Sequence, residues 1–319
     1  MARIEPRRII KFGKSSHIIS LPKDWIDKNG LKKGEIVYVE EENNFLKIIP
    51  KERKNEVIEE KKTIDIENKS LDEVNRRLIS AYLNNYSEIT LKGKNDIVRK
   101  NVSILMDKIG IEIVEQTQNE IIIKDFLSIE GIAIDKIVRR MDNMIRSLFE
   151  DVRNGLQEKV FREEIYKEMF KVDKNINKIY FLIWKLVRKG QKMPHVFIEK
   201  LNLQPEELSN IQWLVINLEA IADEVKRVAK FLINENISKD KEEFAKIIEL
   251  IEKNYTDIMT AYYSKDSELA LRVISRKDQI MKSCLNLAAK KSFYKFGAIC
   301  ERLKTMEGSI HHISKIVAY

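Results

Sequence analysis

Short runs of β-prone residues alternate with turn signals over the first fifty positions of the chain. Gly, Ser, Asn and Pro mark the breaks between these runs. Pro favours the first turn of a helix, and Gly favours the position that follows one. We therefore predict a β-β-α-β-β unit with these elements: strands at Arg7–Phe12 and His17–Leu21, a helix that Pro22 begins and Gly30 ends, and strands at Ile36–Val39 and Phe45–Ile49 joined by a turn at Glu42–Asn44.

The next segment, residues 63–127, mixes short apolar runs with amphipathic stretches. Ser70 stands three residues before Glu73, which is the spacing of a capping box and predicts the start of a helix. Gly110 follows a second periodic stretch and predicts its end. We expect a small α/β domain with these elements: strand Ile64–Ile66, helix Ser70–Leu83, strand Glu88–Leu91, helix Ile97–Ile109, and strands Ile111–Val114 and Glu120–Lys124.

From residue 129 to residue 319, apolar residues recur at spacings of three and four, which is the period of an amphipathic helix. We predict six helices: Ile134–Val152, Ile165–Leu186 with a stop at Lys189–Gly190, Gln204–Leu232, Lys241–Ser264, Ser267–Ala289 and Lys291–Tyr319. The break at Asn234–Ser238 divides them into three and three. This favours two copies of one unit, at residues 129–236 and 237–319, in an antiparallel bundle.

Together these patterns predict a multidomain, mainly α chain. The expected divisions are a small β-rich domain at residues 1–52, a small α/β domain at residues 63–127, and a C-terminal helical bundle of two three-helix repeats. A domain of about fifty residues buries too little surface to be stable alone, so residues 1–52 are expected to dimerise. The charged stretch Lys51–Lys62 is interpreted as a boundary or a charged extension of the second hairpin.

Positive charge is concentrated at the N-terminus. The chain of 319 residues carries a net charge of +8, and residues 1–33 hold nine Lys and Arg against three acids, a net of +6. A basic patch attracts phosphate backbones or anionic lipid, and a solvated charged face without a partner is the alternative. No stretch has the length and apolarity of a membrane span and no signal peptide opens the chain, so we expect a cytoplasmic protein without membrane insertion.

The segment Arg7–Pro50 resembles the SpoVT/AbrB family of swapped-hairpin domains. The resemblance rests on its basic first strand, its Gly-Ser turn, SLPK before the short helix, and GLKKGE before the second hairpin. In this family two chains interleave hairpins into one core, and the resemblance implies that basic residues of the first hairpin and the nearby helix bind duplex DNA. The implied DNA-binding residues are Arg7, Arg8, Lys11, Lys14, Ser15, Ser16 and Lys23. Dimerisation or partner binding without DNA is the open alternative.

A second resemblance lies in the helical region. The stretch LEAIADEVKRVAKFL, Leu218–Leu232, is similar to the signature of the PhoU family of phosphate-uptake regulators. Glu219 and Asp223 are four residues apart, so both carboxylates lie on one helix face, and Asp173 in the preceding helix is their expected partner. Members of this family hold metal clusters through such carboxylates, so the resemblance implies a divalent or iron-type metal at Asp173, Glu219 and Asp223.

Three positions depart from that pattern, each four residues after an acid: Asn177 after Asp173, Thr305 after Glu301 and Lys282 after Asp278. The second of the two repeated sites is therefore expected to be lost and the first to be weakened. The alternative is that Glu219 and Asp223 form salt bridges with Lys226 or Arg227.

Other potential metal or redox groups are interpreted as structural. Cys284 and Cys300 lie in apolar helical patterns and are expected to be buried free thiols rather than disulfide or zinc ligands. His311 and His312 are adjacent on a helix, where neighbouring side chains point about 100° apart and cannot chelate one ion together.

No P-loop, glycine-rich dinucleotide motif, zinc-protease motif or Ser-His-Asp arrangement occurs, so we expect that the chain is not an enzyme. The chain most resembles archaeal proteins that join an AbrB-type domain to PhoU-type repeats. This implies a homodimeric, DNA-binding transcriptional regulator of phosphate uptake that senses through its helical region. Two alternatives stay open: an adaptor that docks on a phosphate transporter or a sensor kinase without binding DNA, and a metal-dependent hydrolase built on the carboxylates, which lacks a nucleophile.

Overall fold

The chain folds into two compact units, residues 1–59 and residues 60–319, in a computed structural model. Most of the described residues are helical, so the prediction of a mainly α, multidomain chain is confirmed. The structure describes residues 6–14, 16–42, 45–50, 60–107, 109–126, 132–158, 161–192, 197–198, 201, 203–234, 241–290 and 293–319.

The N-terminal unit has the predicted β-β-α-β-β order. Its elements are β1 (Ile10–Phe12), β2 (Ser16–Ile18), α1 (Lys23–Lys28), β3 (Val37–Glu42) and β4 (Phe45–Pro50). The strands form two antiparallel hairpins, β1 with β2 and β3 with β4, which are separate sheets. The predicted turn at Glu42–Asn44 falls in part outside the described residues, because Asn43 and Asn44 are not among them.

At the two ends of α1, one boundary prediction was wrong and the other is confirmed. Pro22 is the N-cap of α1 and has extended backbone angles, so the prediction that it is the first helical residue was wrong by one position. Gly30 adopts φ +59°, a left-handed conformation that Gly reaches without steric cost. The Leu31 N–H donates to the Ile26 carbonyl at 3.0 Å across this turn, so the prediction that Gly30 ends the helix is confirmed.

Residues 60–126 form a small α/β layer. Its elements are β5 (Lys61–Asp65), α2 (Leu71–Leu83), β6 (Glu88–Lys92), α3 (Asp96–Met106), β7 (Glu112–Gln116) and β8 (Glu120–Lys124). The strand order is β5-β6-β8-β7, in which β5 is parallel to β6 and the other pairs are antiparallel. Ser70 Oγ accepts the Glu73 N–H at 3.2 Å, as the capping box predicts.

Two boundaries in this layer differ from the prediction by three residues, and the strand predicted at Ile111–Val114 lies at Glu112–Gln116. The strand predicted at Ile64–Ile66 lies at Lys61–Asp65, because it pairs residue by residue with β6 from Lys61 opposite Glu88. The helix predicted to reach Ile109 ends at Met106. The N–H groups of Ile109 and Gly110 both donate to the Met106 carbonyl, which closes a turn before the left-handed Gly110.

In the part of residues 132–319 that the structure describes, six long helices follow in the predicted order. They are α4 (Ile134–Gln157), α5 (Glu163–Lys192), α6 (Pro205–Asn234), α7 (Lys241–Ser264), α8 (Ser267–Lys290) and α9 (Phe293–Ala318). Their apolar faces form one continuous core. Among the described helices, none has the length and apolarity that crossing a membrane requires. Cys284 and Cys300 are buried free thiols, as expected, and burial raises the pKa of Cys284 to about 12 and of Cys300 to about 11.

Helix α5 continues through Gly190 to Lys192, so the prediction that Gly190 stops the helix was wrong. Gly190 is buried, and a Cβ placed on it would lie 2.6 Å from Leu208 Cδ1 and 3.2 Å from the ring of Phe197. Gly190 therefore allows two core side chains to pack against the helix backbone, and it does not end the helix.

Candidate functional site

The first hairpin has one basic face and one apolar face. In the pairing of β1 with β2, Lys11 lies opposite His17 and Ile10 lies opposite Ile18. Side chains alternate between the faces of a strand, so these two pairs lie on opposite faces, and Phe12 lies with Ile10. Both faces are exposed in the described part of the chain.

The predicted DNA-binding residues fall on this hairpin and on the start of α1. Six of the seven are described, and all six are exposed: Arg7, Arg8, Lys11, Lys14, Ser16 and Lys23. Arg7 and Arg8 precede β1, Lys14 follows the left-handed Gly13 in the turn, and Lys23 is the first residue of α1. Ser15 lies outside the described residues.

Among the residues of the N-terminal unit that the structure describes, no core forms within one chain. No side chain whose burial is described between residues 6 and 50 is buried. The two hairpins expose large apolar side chains, among them Phe12 (65% exposed), Val39 (58%) and Leu46 (63%). Ile10, Phe12 and Ile18 share one exposed face of the first hairpin. An exposed apolar patch marks an interaction site, so we expect this face to bind a partner.

The acidic cluster consists of Asp173 on α5 and of Glu219 and Asp223 on α6. The ammonium of Lys226 lies between two of its members, with Nζ 2.7 Å from Asp173 Oδ2 and 2.9 Å from Asp223 Oδ1. Arg227 Nη2 donates to Asp223 Oδ2 at 3.0 Å. The structure therefore brings the three predicted carboxylates together around a lysine.

The groups of the acidic cluster differ in their protonation. Burial, followed by the charges of Asp223 and Asp173, raises the pKa of Glu219 to about 7. Burial lowers the pKa of Lys226, but the hydrogen bonds to Asp173 and Asp223 outweigh this effect and raise it overall. Lys226 is therefore a cation at neutral pH, while Glu219 gains a proton within the physiological range.

The donor set of the acidic cluster does not fit a metal ion as it is arranged. A metal between the two Asp carboxylates would have to displace the Lys226 ammonium, and Asn177 donates to the Asp173 main-chain carbonyl at 3.0 Å. Over the described ranges, no group of three or more His, Cys, Asp or Glu side chains is placed to hold a metal. For Asp223 the arrangement is that of the salt-bridge alternative, and metal binding at Asp173, Glu219 and Asp223 stays a prediction that requires Lys226 to move.

The corresponding positions of the second three-helix set are occupied by local contacts. Glu301 pairs with Lys304 at 2.6 Å. Thr305 Oγ1 donates to the Glu301 carbonyl at 2.9 Å, within the same helix, and Asp278 is exposed. These side chains converge on no shared cation in the described part of the chain.

A basic groove on α4 was not anticipated from the sequence. It has a volume of about 410 Å³ and is lined by Lys136, Arg139, Arg140, Asn143, Met144, Ser147 and Val172. Its polar residues recur at spacings of three and four along α4, so they share one helix face. This spacing of polar residues is a sequence signal for the groove. The helix prediction for α4 used only its apolar positions.

Comparison with known families supports the first of the two resemblances. Residues 10–56 match a family model described as antidote-toxin recognition MazE, bacterial antitoxin. This match confirms that the N-terminal segment resembles AbrB-type domains. It covers none of the helical region.

Among solved structures, the chain is similar to the crystal structure of PhoU from Pseudomonas aeruginosa. The two chains are 17% identical with a TM-score of 0.46, and the matched region covers 58% of this chain and 94% of that one. A search of curated proteins gave no significant match.

Proposed function

We propose that this protein is a homodimeric, DNA-binding transcriptional regulator of phosphate uptake, which acts in the cytoplasm and is not an enzyme. The observation that carries the proposal is the first hairpin, in which the exposed Lys11–His17 pair and the exposed Ile10–Ile18 pair lie on opposite faces. A second copy of the chain buries the apolar face and leaves the basic face directed outwards.

The exposed charges on and beside the first hairpin suit duplex DNA. Arg7 and Arg8 precede β1, and an arginine can contact a guanine edge through two parallel hydrogen bonds. Lys11, Lys14 and Lys23 act as point charges for backbone phosphates, which fix the position of the protein without reading sequence. A two-fold dimer presents this set twice, as the two half-sites of an operator require.

The link to phosphate uptake rests on the resemblance of Leu218–Leu232 to the PhoU signature. The proposed partners of the helical region are a phosphate transporter or a sensor protein. The hydrolase alternative loses support, because Lys226 and Arg227 already neutralise the carboxylates of Asp173 and Asp223 that such an enzyme would need for its metal.

The second candidate function is an adaptor that docks its helices on a phosphate transporter or sensor kinase, with the hairpins serving only to dimerise it. The same resemblance at Leu218–Leu232 favours it, because that resemblance carries no information about DNA. The two candidates differ in a single observable property, which is binding of the full-length protein to specific DNA.

Recovery of the DNA bound by the purified full-length protein from fragments of its own genome separates the two candidates. The regulator predicts enrichment of sites beside phosphate-transport genes. It also predicts loss of that enrichment in the Lys11→Ala/Lys14→Ala variant and retention in the charge-matched control Lys32→Ala/Lys33→Ala, whose side chains are also exposed. Recovery of no DNA above background would support the adaptor.

A further inference from the structure

The basic groove on α4 has the composition of an oxyanion site. Three of its seven lining residues are cations, Lys136, Arg139 and Arg140, and none is acidic. Asn143 and Ser147 add an amide and a hydroxyl that donate hydrogen bonds. In the described part of the chain, neither Lys136 nor Arg140 pairs with a carboxylate, so both charges are open to a ligand.

Arg139 is held in place by a chain of contacts that leads into the protein. Its guanidinium lies 4.0 Å from the ring centre of Tyr263 on α7. The Tyr263 hydroxyl donates to Asp142 Oδ2 at 3.1 Å, and Asp142 is buried. Asp142 also accepts a hydrogen bond from the Tyr255 hydroxyl at 2.8 Å and pairs with Arg146 at 2.9 Å. Side chains fixed in this way lose little entropy when a ligand binds.

The charge of Asp142 does not cancel that of the groove. Its carboxylate is neutralised by Arg146, which follows it by one helical turn. Burial, followed by the charge of Asp142 and the hydrogen bond to it, raises the pKa of Tyr263, so this hydroxyl stays protonated and keeps donating to Asp142. Asp142 therefore adds no unpaired negative charge next to the three cations of the groove.

The size of the groove selects among oxyanions. Lys136 and Arg140 are one helical turn apart, about 6 Å along the axis, while Ser147 lies about two further turns along. A single phosphate group is too small to contact this whole row, whereas two or three linked phosphate groups can. Met144 and Val172 line the same groove and offer apolar contact to the organic part of such a ligand.

We propose that the groove of Lys136, Arg139 and Arg140 binds a small ligand with two or more linked phosphate groups, either free pyrophosphate-type chains or a nucleotide. As a binding site it does not depend on the proposed function. As the place where the regulator receives its signal, it rests on that function.

Titration calorimetry on the full-length protein without DNA tests the site, with orthophosphate, pyrophosphate and ATP as separate probes. Pyrophosphate is expected to bind at least tenfold more tightly than orthophosphate, because it reaches more than one cation. The Lys136→Gln/Arg140→Gln variant is expected to lose at least tenfold in pyrophosphate affinity. Both side chains are exposed, so the variant keeps its core.

The control Lys246→Gln/Arg272→Gln removes the same charge from exposed positions on α7 and α8, outside the groove, and is expected to bind as the parent does. Tyr263→Leu is expected to weaken binding by freeing Arg139, and Tyr263→Phe, which keeps the ring, is expected to weaken it less. If the groove variant loses affinity for both ATP and pyrophosphate, the site is supported with a nucleotide as its ligand. If the parent binds pyrophosphate but not ATP, the site is supported with a free phosphate chain as its ligand.

Equal affinity of parent and groove variant for pyrophosphate would overturn the proposal, and so would the absence of binding at millimolar ligand. Neither result bears on DNA binding by the first hairpin, because no DNA is present in the titration. Loss of DNA binding in hairpin variants, in turn, does not test ligand binding in the groove.

Discussion

Lys226 is the residue on which the acidic cluster depends. Its ammonium satisfies Asp173 and Asp223 at once and is only 16% exposed. Removing one partner of a partly buried ion pair leaves a carboxylate without compensation, so Lys226→Ala is expected to lower the free energy of unfolding by about 1–3 kcal/mol. Urea unfolding measures the change, and Lys304→Ala, which breaks the Glu301 pair in α9, is the control with a smaller effect.

Lys226→Ala also tests whether Lys226 prevents a metal ion from binding to the acidic cluster. Without Lys226, three carboxylates face one another, and Mn²⁺ is expected to raise the unfolding midpoint of Lys226→Ala but not that of the parent. An equal rise in both proteins would contradict the account, because it would mean that the parent cluster binds metal despite its lysine. Loss of that rise in Glu219→Ala/Asp223→Ala would then locate the metal.

Glu219 gives the stability of the protein a specific dependence on pH. Its pKa rises from 4.5 to about 7 on folding, so the folded chain binds this proton more strongly than the unfolded chain. The associated stability is present below about pH 4.5 and is lost as pH rises through about 7. Because the side chain is partly exposed, Glu219→Gln is expected to be more stable than the parent by only about 1 kcal/mol at about pH 8.

Thermal unfolding of parent and Glu219→Gln across this pH window measures the difference. It is expected to shrink to nothing at about pH 4. A difference that stays constant over the window would show that Glu219 ionises in the folded protein as it does in the unfolded chain.

At the level of residues, the sequence predicted which carboxylates meet but not what lies between them. The four-residue spacing of Glu219 and Asp223 fixes their shared helix face, and their encounter with Asp173 follows from helix packing. Lys226 could be named as a candidate partner, but that it bridges two helices depends on side-chain positions, which no spacing rule contains.

Among the helices, Gly190 and Gly308 form a natural pair for a test of packing. A Cβ on Gly190 would lie 2.6 Å from Leu208 Cδ1 in the core, whereas a Cβ on Gly308 would meet nothing within 4 Å. Overpacking of a core costs about 1–3 kcal/mol, so Gly190→Ala is expected to destabilise the protein by about that amount. Gly308→Ala is expected to stabilise it by about 0.5–1 kcal/mol, because alanine favours helix.

Chemical denaturation measures the change in the free energy of unfolding for both variants, which is expected to be a decrease for Gly190→Ala and an increase for Gly308→Ala. Destabilisation of similar size in both would contradict the packing argument, since it would mean that α9 also approaches a neighbour closely at Gly308.

At the level of elements, apolar periodicity predicted all six long helices, because each buries one face in a common core. Predicted element boundaries were wrong where a contact distant in sequence determines them. Gly190 reads locally as a stop, yet its neighbours in the core need its lack of a side chain. Strand β5 begins at Lys61 because β6 offers a partner there, which is a non-local cause.

The whole molecule is expected to be a dimer through its N-terminal unit. Phe12 and Phe126 are comparably exposed, at 65% and 67%, but only Phe12 lies on the apolar face of the first hairpin. If a second copy covers it, Phe12→Ser removes about 1.5–3 kcal/mol of burial from each chain. Sedimentation of the full-length protein is expected to show a weaker dimer for Phe12→Ser and an unchanged one for Phe126→Ser. A folded monomeric parent at micromolar concentration would contradict this.

Binding of duplex DNA by this dimer through its first hairpin is tested most directly by a titration of DNA affinity against salt concentration. If each chain places about three to five cations on phosphates, affinity falls by about three to five orders of magnitude between about 50 and 200 mM salt. Lys11→Ala is expected to weaken binding to all sequences and to flatten the salt slope by about one unit for each phosphate that is no longer neutralised, whereas Arg8→Ala is expected to cost about 1–3 kcal/mol and relax sequence preference. An unchanged affinity and slope in the triple variant Arg8→Ala/Lys11→Ala/Lys14→Ala would contradict the account.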